Sequence, residues 1–331
     1  MKDTPYISGS SDRSIIFVHE RSFKPESGVY LDILNAALSA GIDSDKSESL
    51  YSLSAVNKYL AYYGDLSNEF LATKDLFFDE RLDVNDLHSA LHSLKGIDRK
   101  KGFSVGKYDK LPGKSAVTEF AASVLAPVLS AVGLEKSLVS GATKDLGEYW
   151  KKDSEFGAAV LDRVRATIAT ALDRNERIML ISHGTGSIVT YDALWQLSHD
   201  PVHCEKFADS KIDCWLTMGS PLGDSMVRKQ LAGANRKGRE RFPTNVLTWH
   251  NVSAEDDFIC HDRTVADDFK AMLKQRQVGS IRDYRIYNLA IRYGSSNPHS
   301  AIGYLIHPRV SKIVSDWLTQ SFGMKLPKDI F

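Results

Sequence analysis

The sequence predicts a doubly wound α/β protein: a mostly parallel sheet covered by helices, with a helical, lid-like insertion. Three observations carry that expectation. Short apolar runs alternate with stretches of helical apolar spacing along most of the chain. The 331 residues allow one large domain or two smaller ones, and one domain over residues 1–331 is expected. Residues 177–192, RIMLISHGTGSIVTYD, read as a strand, a tight turn and a helix, which puts a glycine-rich tip at the carboxyl end of a strand.

Strands are expected at Ile15 to His19, Tyr59 to Tyr63, Ile178 to Ser182, Ile212 to Met218, Val246 to Val252 and Tyr284 to Ile291, each short and bounded by turn residues. Helices are expected at Tyr30 to Ala40, Phe156 to Leu172, Ser187 to Leu197, Thr264 to Leu273 and Val310 to Leu318. Between Asp65 and Gly147 lie roughly eighty residues, too many for a structureless loop, so residues 66–146 are expected to form a helical insertion. Within it, Asp86 to Leu94 reads as a short helix and Ala116 to Leu138 as a longer apolar one kinked at Pro127. Glu119, Glu135 and Lys136 exclude a membrane span there. That leaves a helical hairpin packed over the sheet, or a lid whose apolar face meets an acyl substrate.

Charge and cysteine usage narrow the classes. Lys+Arg and Asp+Glu balance at 42 each, so no global field recruits nucleic acid or an anionic membrane. The first apolar run, Ile15 to Val18, is too short for a transmembrane segment or signal core. Cys204, Cys214 and Cys260 are odd in number and widely spaced, which fits a reducing cytoplasm. No cofactor is expected: the dinucleotide fingerprint begun by Gly184 and Gly186 fails at Val189. No metal is expected either, since His199, His203 and Cys204 are interrupted by Pro201 and lack a fourth ligand.

The tip His183-Gly184-Thr185-Gly186 stands where the pattern G-x-S-x-G would hold a nucleophilic serine on a sharp elbow. Such an elbow implies an acid and then a histidine later in the chain. After the strand at Val246 to Val252 comes SAEDDFICHD, and Asp257 is the acid expected at that strand end, with Asp256 in reserve. After the last expected strand comes RYGSSNPHSAIGYL, whose His299 can reach the elbow from a loop and titrate near neutrality.

On these fragments the chain resembles the α/β-hydrolase superfamily, in its serine lipase and esterase-like branches. The resemblance rests on IIFVHERSFKP, AYYGDL, LISHGTGSIVTYDAL, LTMGSPLG, HNVSAEDDF and NPHSAIGYL, in that order. It implies an ester or lipid-like acyl substrate, attack from position 184, and an oxyanion held by backbone N–H groups. One donor would be Thr185 and the other would lie around Arg21 to Phe23, so Glu20, Arg21, Ser22, His183 and Thr185 are expected to surround the pocket. Each such donor is worth about 3 to 4 kcal/mol of barrier.

Two residues depart from the pattern. Gly184 has no side chain to attack with, so serine catalysis is expected to be absent; Glu20 stands where such proteins commonly carry glycine. Ser182, Thr185, Ser187 and Ser220 are read as structural. Glu20 either pairs with His299 to orient a water or is a rim carboxylate paired with a cation such as Arg21; the second reading is the simpler. The family-level expectation is an ester or acyl hydrolase. Its alternatives are a ligand-binding or interaction protein that uses the former pocket, with a small molecule or partner protein as occupant, and an engineered serine-to-glycine form of an active enzyme.

Overall fold

Arg13–Val18 is buried at every position, as a strand covered on both faces must be. It lies inside a seven-stranded sheet. The strands are β1 (Tyr6–Ile7), β2 (Arg13–Val18), β3 (Asn57–Ala61), β4 (Arg177–His183), β5 (Ile212–Met218), β6 (Val246–Ala254) and β7 (Ser280–Ile286), in the order β1-β3-β2-β4-β5-β6-β7. All neighbours run parallel except β1 and β3. The computed structural model describes residues 4–42, 52–73, 78–113, 147–260 and 264–319.

Alternate residues of one strand feed two cores on opposite faces, as the two-residue period requires. Ile15 and Phe17 meet α1 (Ser27–Ile42), α6 (Ala301–Leu305) and α7 (Pro308–Thr319), with α3 (Glu80–Lys95) added at one side. Ile16 and Val18 meet α4 (Glu155–Asp173) and α5 (Gly186–His199). Further along the second face, Trp215 and Trp249 stack at 4.4 Å, their indole N–H groups donating to Ser182 Oγ (2.8 Å) and Thr217 Oγ1 (3.1 Å). Burying two indoles costs little when both N–H groups find acceptors.

After the short antiparallel edge strand β1, the chain runs through β2, winds to β3 on one side, and then crosses to β4 on the other. The direction of winding therefore reverses between β2 and β4. In sheets of this kind that crevice, at the carboxyl ends of the strands, is where ligands bind.

Some element boundaries differ from expectation for physical reasons. The last strand of this sheet is Ser280–Ile286, displaced from Tyr284 to Ile291, and a separate two-stranded hairpin, Ile291–Arg292 with Ser295–Ser296, follows it. Polar Arg282, Asp283 and Arg285 hide the start of β7 at the sheet edge, while apolar Leu289 and Ala290 belong to a buried loop. Asn288 holds that loop: its amide N–H groups donate to the carbonyls of Pro298 and Ser300, both at 2.9 Å. The helix expected at Thr264 to Leu273 is two short ones, Val265–Asp268 and Lys270–Lys274, separated at Phe269.

Within residues 66–146, α2 (Gly64–Ala72) runs through the expected start of the insertion. Helix α3 begins earlier than Asp86 because Asp79 caps it, accepting from the Leu82 N–H at 2.9 Å. Ala116 to Leu138 and Pro127 lie outside the described residues. Among the described residues no helix is long and apolar enough to cross a membrane.

Candidate functional site

Strand register assembles the site. Val18 pairs with Ser182 in the β2–β4 ladder, so Glu20 and Gly184, two residues further on, leave the sheet side by side. Gly184 has φ +53°, a left-handed conformation that suits glycine, and its N–H donates to the Met218 carbonyl at 2.9 Å. The turn enters α5 at Gly186, where any side chain would collide with the backbone carbonyl of His19.

The acid and the imidazole arrive from β6 and from the loop before α6. Asp256, at φ +59°, turns the chain so that Asp257 points inward and is 2% exposed, while Asp256 itself faces solvent. Asp257 accepts from the Ile259 N–H at 3.0 Å and from the Tyr304 hydroxyl at 2.6 Å. His299 Nδ1 lies 2.9 Å from each of its carboxylate oxygens. Gly219, at φ +58°, makes that approach sterically open: a Cβ there would sit 2.8 Å from Asp257 Oδ2 and 3.0 Å from His299 Nδ1.

On the far side of the ring, His299 Nε2 meets Glu20 Oε2 at 2.7 Å. A Cβ on residue 184 would lie 2.9 Å from that nitrogen and 3.0 Å from that oxygen. The Glu20 carboxylate thus occupies the space in which a nucleophile on the elbow would stand. Lys24 Nζ follows at 3.7 Å from Glu20 Oε1, and also donates to Ser22 Oγ and to the Phe23 carbonyl. Glu20 therefore pairs with His299 and with a neighbouring cation, Lys24. The Arg21 guanidinium lies 4.8 Å over the Phe156 ring, and the Arg21 backbone N–H, a candidate oxyanion donor, goes to Thr185 Oγ1 at 3.0 Å.

The result is a buried row of alternating charge from Asp257 through His299 and Glu20 to Lys24. Burial disfavours a charged His299, but the two flanking carboxylates outweigh it and push its pKa up to about 10. For Glu20 burial opposes ionisation, and the charges of His299 and Lys24 still hold it well below the usual carboxylate range. Asp257 is lowered the same way: burial opposes ionisation and the imidazolium outweighs it. Burial lowers the Lys24 ammonium. A histidine already protonated at neutral pH and held on both nitrogens cannot take a proton from a nucleophile.

Two more histidines lie close by and stay neutral. Burial lowers His183 to about 4, and its Nε2–H donates to the His299 carbonyl at 2.7 Å. Burial lowers His19 to about 3; its Nδ1–H donates to the Glu20 carbonyl at 2.7 Å and its Nε2 accepts from the Tyr63 N–H at 3.1 Å.

The hydroxyls near the elbow are committed elsewhere. Ser182 accepts from Trp215, and Ser187 donates to the Gly184 carbonyl at 2.7 Å and bonds Ser220 Oγ at 2.7 Å. The HDPVHC residues form no metal-binding group among the described residues, and His199 Nε2 donates to the Phe242 carbonyl at 2.7 Å.

Above the row opens a small cleft of about 50 Å³, lined by Glu20, Lys24, Tyr30, Asp83, Arg292 and His299 among others. Its outer wall is charged: Arg292 bonds Asp83 at 2.6 Å and also Asp86, and the Tyr293 hydroxyl donates to Asp83 at 2.7 Å. The sequence alone does not single out Lys24, Gly219, Tyr304 or Arg292. Only Gly219 carried a signal, as a glycine directly after a strand.

Comparison with protein-family models, with curated proteins and with solved structures finds no match to the chain.

Proposed function

We propose that the chain is an α/β-hydrolase-type protein, related to carboxylic-ester and acyl hydrolases, that has no serine catalysis and uses the cleft to bind a small polar ligand. The observation that carries this reading is the Glu20 carboxylate, held 2.7 Å from His299 Nε2 in the space of the missing nucleophile. The glycine elbow at the switch point and the Asp257–His299 pair support the hydrolase relationship. Lys24, Asp83 and Arg292 on the cleft wall favour a ligand with charged or hydrogen-bonding groups over a bare acyl chain. Because Glu20 fills the space that Gly184 leaves open, the two residues suit each other, which supports an inherited pair over a serine removed by engineering.

The test is restoration of the nucleophile. Gly184→Ser alone is expected to stay unlabelled by a fluorophosphonate probe, since its Cβ would crowd Glu20 and His299. Glu20→Gly combined with Gly184→Ser frees both the ring nitrogen and the space, and is expected to label and to hydrolyse a short nitrophenyl ester. Ester turnover by the unaltered chain that disappears in His299→Ala would overturn the binding reading. A folded double variant inert to probe and ester would overturn the hydrolase relationship.

A further inference from the structure

Several buried polar atoms around the cleft make no hydrogen bond, Asn297 Oδ1, Ser300 Oγ and His183 Nδ1 among them, and the last is the one that stands beside Glu20 and His299. His183 is 4% exposed, its Nε2–H is spent on the His299 carbonyl, and its Nδ1 makes no hydrogen bond. A buried acceptor left unsatisfied is destabilising, which asks for a compensating ligand. Glu20 and His299 stand next to it. One ligand atom from each of Glu20, His183 and His299 lies within 4.8 Å of the other two.

We infer that Glu20, His183 and His299 form a two-histidine, one-carboxylate site for a divalent transition-metal ion at the switch point of the sheet. Both imidazoles have one ring nitrogen already engaged, as metal-ligating histidines do. Each donates its other N–H to a fixed oxygen, His299 Nδ1–H to the Asp257 carboxylate and His183 Nε2–H to the His299 carbonyl, which leaves His299 Nε2 and His183 Nδ1 to bind. Asp257 is then an outer partner that orients His299.

Room for the ion comes from Gly184, since a Cβ at that position would contact both His299 Nε2 and Glu20 Oε2. The Nε2–Oε2 distance of 2.7 Å is that of a hydrogen bond; an ion takes the place of its proton and opens the pair to about 3.4 Å, the separation of two tetrahedral ligands each near 2.1 Å. Glu20 and His299 both line the cleft, so the remaining coordination positions face it and stay open to water or ligand. Two nitrogens and one carboxylate oxygen suit zinc, cobalt, manganese or ferrous iron better than calcium or magnesium.

This inference stands apart from ester chemistry and from ligand binding, because it is read from the ion itself. The full chain is stripped with a chelator and titrated calorimetrically with zinc, and separately with cobalt(II) for its visible absorption. The expected result is one ion per chain, with cobalt bands of low-symmetry nitrogen and oxygen ligation. Glu20→Gln and His183→Ala should each abolish stoichiometric binding, and Asp257→Asn should weaken it about 10- to 100-fold. Gly184→Ala should block the site while keeping every ligand. His203→Ala, in the half-buried HDPVHC segment away from the site, should change nothing. If His183→Ala fails to fold, Glu20→Gln and Gly184→Ala decide. Absence of stoichiometric binding in the unaltered chain, binding that survives those two changes, or binding lost in His203→Ala would overturn the assignment.

Discussion

Tyr304 shows how one hydroxyl holds the site from behind. Its O–H donates to Asp257 Oδ2 at 2.6 Å while its oxygen accepts from the Ala254 N–H at 2.8 Å, so it ties the acid to the end of β6. Tyr304→Phe leaves a buried backbone donor and a buried carboxylate oxygen each short of a partner. The expected loss is about 1 to 3 kcal/mol of stability, read by urea unfolding. Gly219→Ala acts on the same contact from the other side: its Cβ forces Asp257 and His299 apart, and the His299 ring proton signals should shift in the NMR spectrum. Residues at this scale are unevenly legible in a sequence. Gly184, Asp257 and His299 stand after strands, where turn residues punctuate the chain, and their positions can be read from that punctuation. Glu20 is legible as a departure from a pattern, but not its partner, because which cation it meets depends on how the loop after β2 folds. Lys24 and Tyr304 give no local sign; one is a basic residue in a loop and the other an aromatic in a helix.

Among elements, α3 is fastened to the rest of the protein by Arg292. That guanidinium sits in a two-residue hairpin strand and bonds both Asp83 and Asp86 of the helix, with side-chain exposures of 12%, 11% and 17%. Removing one partner of a buried pair leaves the others uncompensated, and the cost is typically about 3 to 5 kcal/mol. Arg292→Ala is therefore expected to lower the denaturation midpoint sharply and to raise amide exchange along α3, whereas replacing an exposed pair such as Lys312 with Asp316 should have little effect. The alternation of strands and helices could be read from the sequence because covered parallel strands are continuous apolar runs. β7 could not be placed accurately, because an edge strand with Arg282, Asp283 and Arg285 on it has no such run, and the apolar signal beside it comes from a loop that Asn288 buries.

Across the whole molecule, one acid outside the cleft carries a distinct consequence for pH. Asp192 in α5 is pushed up to about 7 by burial, even though the Tyr149 hydroxyl and the Ala232 N–H both donate to it. Its folded pKa exceeds the ordinary 3.8, so the native state holds a proton that the unfolded chain has lost. The stabilisation is complete below that ordinary value and disappears as pH rises to about 7. Asp192→Asn is expected to flatten the fall in melting temperature between pH 4 and about 7, as read by thermal scans across that range. Helices α4 and α5 pack on the same sheet face as the tryptophan pair, so this loss should appear in tryptophan fluorescence at the same temperature as in circular dichroism. The β2–β4 ladder carries a last consequence. Glu20 and Gly184 are neighbours because two strands distant along the chain align in one register, and a slip of a single residue would carry the Glu20 carboxylate away from the glycine turn. The protein therefore cannot assemble its pocket piecemeal: any occupant, whatever its chemistry, will act as a clamp on correct strand alignment and will slow the loss of the entire architecture.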